Sequence, residues 1–450
     1  MKSLAEQLKR PLYQAYSYSY PHKSAYRPLQ HPIDLEPLWQ QENRDALFLY
    51  LHVPFCEMRC GFCNLFALSK PEGKLVEQYL AALQRQAEAM DRVLGQRTFA
   101  RAAIGGGTPT YLSSRHLEQL LRILQKNMQL DPTHTPLGIE VSPATLDAEK
   151  LALLEQFSVD RISIGVQSFQ DDELRSLARR QPSHERHRAL TLIRESRIST
   201  LNIDLIYGIP GQTPESWLAG LKQALDYAPQ ELYLYPLYIR NNSGLGKNSQ
   251  GLSETNGNLI LNDSMLQLYR LGRDFLCEQG YRQISMRMFS KGDTAASGFP
   301  EYSCQEDGMV GLGPGARSYT RGLHYSSQYA SHHRDVRTLI EAYGRQTRED
   351  FTRAYHGFQL TPQEQQHRHL LQSLFLLEGL DKQDFRRRFQ QEPIDSFPQL
   401  QEILDANLGE ESPERFRLNA AGIERADLLA PWLASPEVKR RMQQPSRETG

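Results

Sequence analysis

The chain has 450 residues with 52 basic and 53 acidic side chains, a formal net charge of −1 that lacks the excess a nucleic-acid or membrane-surface partner would need. A hydrophobic fraction of 39% supports a globular core, no apolar run is long enough to cross a bilayer, and the length has room for one large domain and one smaller one. Five cysteines, three of them clustered, and a polar start, Met1-Lys2-Ser3-Leu4-Ala5-Glu6, fit a reducing cytoplasm better than a secreted disulfide scaffold.

Residues 1–46 read as an extended N-terminal arm. Tyr13, Tyr16, Tyr18, Tyr20 and Tyr26 give it aromatic surface, and prolines at 11, 21, 28, 32 and 37 argue against a long helix. Such an arm packs on the body through its tyrosines or serves as a lid.

From Leu47 to Leu237 strand-like and helical runs alternate. Apolar β-type runs fall at 47–53, 99–104, 137–142, 160–166, 200–206 and 231–237, with helical patterns at 73–94, 114–128, 147–156, 171–195 and 214–227. Repeated βα steps predict parallel strands joined by right-handed crossovers. A closed (β/α)8 barrel would need two more units. The expected fold is therefore α/β, an incomplete (β/α)6 TIM-type barrel over 47–335, open on one side.

Chemistry in such folds gathers at the C-terminal ends of strands. Pro54 ends the first strand, and Cys56, Cys60 and Cys63 follow on a loop with C-x3-C-x2-C spacing. Three thiolates suit three irons of a 4Fe-4S cluster and leave the fourth iron open. The rival is a zinc site, which wants four ligands and would need His52 or a distant residue. The second strand ends in Gly105-Gly106-Gly107-Thr108-Pro109, where bare backbone can approach a ligand. Later strands end near Glu140, Gln167 and Asp204, and Arg179 follows the fourth strand. Asp204 lies inside an apolar run, so it needs a partner, either a ligand or Arg179.

After Leu237 the alternation breaks. Residues 240–257 read as a loop, and 258–279 as a helix with Cys277 in the core. Four glycines between Gly308 and Gly315 precede Ala316, and Tyr302-Ser303-Cys304-Gln305 stands before them. Cys304 either faces a cavity or is a plain buried thiol. A smaller helical, winged-helix-like domain is expected over 340–435, with amphipathic helices at 363–377, 381–390 and 397–407 and a short strand and helix from Arg415 to Trp432. Arg386-Arg387-Arg388 read as a solvated helix face or as a carboxylate-binding patch. Residues 436–450 read as a polar tail without structure.

The ordered set Tyr50-x-His52, the cysteine triplet, GGGTPTYL, Glu140, GVQSF, Arg179 and NIDLIYGIPGQT resembles the coproporphyrinogen-oxidase-like branch of the radical S-adenosylmethionine (SAM) enzymes over residues 17–320. Ser17-Tyr18-Ser19-Tyr20-Pro21 is similar to a Tyr-x-Ser-Tyr-Pro stretch of the oxygen-independent oxidases but departs at Ser17, and Arg317 stands where many relatives carry His. The resemblance implies a 4Fe-4S cluster on Cys56, Cys60 and Cys63. It implies one SAM molecule or two, held by Tyr50, Gly106, Gly107, Thr108, Glu140, Gln167, Arg179, Asp204, Gln305 and Ala316. No catalytic residue is assigned beyond these. The implied chemistry is reductive cleavage of SAM to a 5′-deoxyadenosyl radical, fed by an electron donor such as flavodoxin or ferredoxin. The nearest reaction is oxidative decarboxylation of a porphyrinogen, a small-molecule tetrapyrrole substrate. The alternatives are a methylase acting on another substrate and a haem-binding chaperone, although the chaperones' His-Asn-x-x-Tyr-Trp stretch has no counterpart here.

Overall fold

The computed structural model describes residues 3–13, 19–239, 244–245, 257–292, 303–330 and 333–444, apart from the side chains of 257–262 and 333. Nearly all of the expected loop at 240–257 lies outside them, as do Tyr16, Ser17, Tyr18 and Tyr302.

All six expected barrel strands form, as Leu47–Val53, Phe99–Gly106, Leu137–Val141, Arg161–Gln167, Thr200–Tyr207 and Glu231–Pro236. They lie side by side in sequence order, each parallel to the next. Period-two alternation sets their faces. Leu49 and Leu51, Ile162 and Ile164, and Leu232 and Leu234 enter the core, while the residues between them turn the other way. The helix Gly73–Leu94 covers the first two strands because Leu75, Val76, Tyr79, Leu80, Leu83, Ala87 and Met90 recur at helical spacing on one side. It stops at Gly95, whose φ of +58° suits glycine.

The helix expected over 171–195 is two helices, Asp171–Ser176 and Ser183–Glu195. Ala178 takes a φ of +49° and Pro182 opens the second helix, so the chain breaks at 177–182. That break carries Arg179.

The sheet continues beyond the barrel to 13 strands among the described residues. Met309–Leu312 runs parallel beside Leu47–Val53, and antiparallel strands Arg317–Tyr319, Leu323–Ser326 and Arg353–Gln359 follow. The edge strand is Arg27–Asp34. Two expected boundaries move as a result. The arm over 1–46 is not wholly peripheral, because its second half is sheet; Pro28 and Pro32 are tolerated there because an edge strand can spare N–H donors. The core also does not end at 335, because Arg353–Gln359 belongs to the main sheet, and the smaller domain begins near Leu360.

That domain holds the helices Pro362–Leu374, Lys382–Phe389 and Gln399–Asp405 and a three-stranded sheet, close to the expected spans. The tail expected to lack structure is a helix over Pro436–Gln443, capped by the Ser435 hydroxyl and anchored by buried Val438. Cys277 is exposed rather than in the core: Leu276 faces inward, and the next residue on the helix Gly257–Glu278 turns about 100° away. Arg386, Arg387 and Arg388 are engaged by Glu392, Asp384 and Glu306. Among the described residues no helix is long and apolar enough to cross a membrane.

The arm is clamped to the smaller domain by buried Tyr20. Its hydroxyl donates to Glu364 and accepts from the Ser435 N–H, and its ring stacks on His367 at 5.7 Å. Tyr20→Phe is expected to cost about 1–3 kcal/mol, because buried Glu364 and the Ser435 N–H each lose a partner. Urea unfolding measures this, and an unchanged midpoint contradicts the clamp.

Candidate cluster and cofactor site

Two-residue strands Phe55–Cys56 and Leu68–Ser69 pair in parallel, so the loop bearing the three cysteines leaves and returns at one place. Gly61 ties it to the helix break: its N–H donates to Leu177 O at 2.9 Å, and an added Cβ would stand 2.9 Å from that same oxygen. Tyr329 Oη donates to Asn64 O at 2.6 Å, and Lys23 of the arm sits 3.4 Å above the Tyr329 ring.

All three cysteines are free, and each sulfur has hydrogen-bond donors aimed at it. Thr108 Oγ1 lies 3.0 Å from Cys56 Sγ, and the Met58 N–H also serves that sulfur. Arg179 Nη1 donates to Cys60 Sγ at 3.2 Å, and the Leu65 N–H serves Cys63. Burial, then the nearby Glu57 carboxylate, pushes the Cys56 thiol up to about 12, and burial also raises Cys63. A bound cation is what makes thiolates stable in such surroundings. Among the described residues no three His, Cys, Asp or Glu side chains converge so as to hold a single metal ion. His52, the rival fourth ligand for zinc, has both ring nitrogens engaged, Nε2 with Phe66 O at 2.9 Å and Nδ1 with Tyr50 Oη at 3.2 Å. Burial lowers His52 to about 4, so the ring is neutral, with its proton on Nε2. Soft donors spaced along one loop, with hydrogen bonds ready for their sulfurs, fit a cluster whose irons stand at separate corners.

The triple glycine is close to protein before it is close to any ligand. Gly106 has a φ of +117°, and a Cβ there would stand 2.7 Å from Val53 O; at Gly107 it would stand 2.3 Å from Phe55 O. The gap at Gly105 is filled by the Glu140 carboxyl, which accepts the Gly106 N–H at 3.1 Å. Glu140 is reached by solvent through the open lumen, yet protein surrounds it, and burial followed by the Asp204 charge raises its carboxyl to about 7.

Asp204 does not pair with Arg179. Its carboxylate accepts from Asn202 Nδ2 at 2.8 Å and Ser163 Oγ at 3.2 Å. Asn202 sits two residues earlier on the same strand, so period-two geometry brings the two side chains to one face. Arg179 reaches the other way, to Cys60, Gly165 O and Gln181. Gln167 sits at a bulge with a φ of +69°, and its amide covers the space that a side chain at Gly165 would take. Tyr50, Glu140, Gln167 and Asp204 thus lie on the first, third, fourth and fifth barrel strands, and Arg179 in the helix break after the fourth.

Gln305 and Ala316 come from the extension beyond the six barrel strands. Gln305 is buried, and its Oε1 accepts the Tyr20 N–H at 3.1 Å. Ala316 is buried in the glycine stretch whose Gly313 and Gly315 pack on His52 and Phe66. Sequence reasoning missed Glu57, whose carboxylate accepts from Ser142 Oγ at 2.6 Å and fixes the cysteine loop to the third strand end. A carboxylate between two ligand cysteines was the available signal.

A cavity of about 1540 Å³ lies between the arm, the segment Ile284–Met288 and the smaller domain. Tyr233, beside Asp204 in register, lines it from the barrel side, and Tyr20 and His22 line it from the arm. Cys304 borders it too, its thiol raised to about 11 by burial.

Cys60→Ala is expected to abolish cluster loading, read as loss of iron, sulfide and charge-transfer absorbance in reconstituted protein; full iron content contradicts the ligand set. A second test uses pH. Burial raises the Asp204 carboxyl from 3.8 to about 6, so the folded chain holds that proton more tightly than the unfolded one. The stability this proton contributes is fully present below about pH 4 and is lost as pH rises through about 6. Asp204→Asn is expected to remove that component from urea unfolding of the ligand-free chain measured across this range. An unaltered pH profile contradicts the buried, proton-retaining carboxyl.

Residues 50–223 match the radical SAM superfamily, and residues 360–424 match the HemN C-terminal domain. Among curated proteins, the heme chaperone HemW of Haemophilus influenzae is 28% identical over 249 residues, 54% of this chain and 63% of that protein. The oxygen-independent coproporphyrinogen III oxidase of Salmonella typhimurium is 31% identical over 237 residues, 50% of each. These matches thus cover about half to two thirds of the relatives' own length. The solved structure of coproporphyrinogen III oxidase (HemN) from Escherichia coli superimposes with a TM-score of 0.77 at 23% identity, over 96% of this chain and 98% of that one. That likeness establishes the fold. With both domain models matched in order along the chain, the protein belongs to the radical SAM superfamily and carries a HemN C-terminal domain.

Proposed function

We propose that the protein is a radical SAM oxidoreductase acting on a tetrapyrrole, most like the oxygen-independent coproporphyrinogen III oxidases. The observation that carries this reading is the 1540 Å³ cavity, larger than the roughly 300–1,000 Å³ of ordinary small-molecule sites and lined on the barrel side by Tyr233, the neighbour of Asp204 in register. Cys56, Cys60 and Cys63 would hold the cluster, and Tyr50, Gly106, Gly107, Thr108, Glu140, Gln167 and Asp204 would hold SAM. Together the two groups supply one-electron cleavage of SAM and a hydrogen-abstracting carbon radical.

The chain's own residues do the rest. Glu140 and Asp204 offer carboxyls to an ammonium or a ribose. The Tyr50–His52–Phe66 chain holds the lumen wall in one tautomer. The arm closes the cavity side: Ser19 accepts from Arg317, Tyr20 joins Gln305 to Glu364, and Lys23 rests on Tyr329 above the cysteine loop. Exclusion of water protects a reactive intermediate. The charged groups around the cavity are of both signs. Arg287 is already engaged by Asp427 and Arg387 by Asp384, so a substrate's carboxylates would have to compete for them.

Matches to heme chaperones keep a second reading in view, in which the cavity holds a haem without changing it. The deciding experiment incubates reduced, reconstituted protein with SAM and coproporphyrinogen III without oxygen and reads products by mass. The expected result is SAM consumption with a decarboxylated tetrapyrrole. Stoichiometric haem binding without any altered tetrapyrrole contradicts the oxidase reading and favours the chaperone. Absence of SAM cleavage under reducing conditions contradicts both the oxidase and the methylase.

A further inference from the structure

The resemblance to other radical SAM proteins counts Arg179 among the residues that hold SAM. The geometry gives its guanidinium a further task. Nη1 donates to Cys60 Sγ at 3.2 Å, Nη2 to Gly165 O at 2.7 Å and Nε to Gln181 Oε1 at 3.3 Å. The side chain is buried, as is Cys60, at 9% and 8% exposure, so solvent screens the contact weakly.

The three sulfurs are served unequally. Cys56 has the neutral Thr108 hydroxyl and a backbone N–H, and Cys63 has a backbone N–H. Among the contacts of the described residues, Cys60 has a full positive charge at hydrogen-bond distance, whereas Cys63 feels the Arg59 and Arg179 charges through space. A guanidinium cannot give up its proton in a protein, so that charge is permanent. The helix break over 177–182 and the Gly61–Leu177 bond hold it against the loop.

We propose that Arg179 is a positioning residue that fixes a cation on the Cys60 sulfur and thereby raises the reduction potential of the bound cluster. This rests on the 4Fe-4S reading of the cysteine loop and is independent of the substrate. Reduction adds one electron, taken from a low-potential one-electron donor, and no proton moves. The reduced state carries one more negative charge, shared with the ligand sulfurs. A cation at 3.2 Å stabilises that state more than the oxidised one. Hydrogen bonds to cluster sulfurs are a recognised lever on potential, and here the lever is charged.

The test is a redox titration with dithionite as the reductant, followed by electron paramagnetic resonance (EPR), on cluster-loaded protein without substrate. Arg179→Lys keeps the charge and loses the fork; Arg179→Gln keeps a donor and loses the charge. The expected order of midpoint potentials is wild type highest, Arg179→Lys next and Arg179→Gln lowest, at equal iron and sulfide content. Equal potentials in fully loaded wild type and Arg179→Gln overturn the proposal. Weakened SAM binding with an unchanged potential also overturns it and leaves Arg179 with SAM alone. If neither Arg179 variant loads, Gln181→Ala, which removes the acceptor that orients the guanidinium toward Cys60, is read instead. A lowered potential there supports the proposal, and an unchanged one overturns it. Because no substrate is present, failure here leaves the oxidase reading untouched, and failure of that reading leaves this measurement valid.

Discussion

The site depends on one close approach of backbone to backbone. The N–H of Gly107 donates to Val53 O at 2.8 Å, and that of Thr108 to Phe55 O at 2.7 Å. These bonds lock the start of the cysteine loop to the end of the second barrel strand. Any side chain at Gly106 or Gly107 would drive into Val53 or Phe55 carbonyl oxygen. Thr108 then reaches Cys56, Glu140 fills the space at Gly105, and Glu57 ties the loop to Ser142. Loop position, sulfur environment and lumen carboxyl all follow from two bonds that only small residues permit.

The remainder of the chain works as a frame around that loop. The broken helix at 177–182 sets Arg179 and Leu177 against Cys60 and Gly61. The antiparallel extension carries the glycine stretch onto His52 and Phe66. The smaller domain is not a passive appendage, because Tyr20 joins Glu364, Ser435 and Gln305, so the arm, the segment before the glycine stretch and the smaller domain meet at one buried residue. Arg287, Asp427 and Tyr238 make a second buried junction between barrel and smaller domain. Breaking one partner of such a pair strands a charge, which gives this interface a defined geometry.

Much of this was legible in sequence because its signals were periodic or compositional. Apolar runs located all six barrel strands, and the cysteine spacing with Pro54 located the loop. Local reasoning failed where a contact is long-range. Arg353–Gln359 sits in a charged stretch, and only its pairing with Leu323–Ser326 and Arg27–Asp34 makes it a strand. Arg27–Asp34 carries two prolines and is strand only because it lies at an edge. Asp204 was read correctly as needing a partner, but Asn202 and Ser163 were overlooked in favour of Arg179, whose direction depends on a helix break. The glycines were read toward a ligand, whereas the first thing they admit is neighbouring backbone.

The central claim is that three thiols hold a cluster with one iron left open to a ligand. EPR of the reduced, reconstituted protein, recorded before and after SAM is added without substrate, tests it most directly. The account predicts a changed cluster signal on addition, as the open iron gains a ligand. Identical spectra at saturating SAM would contradict it.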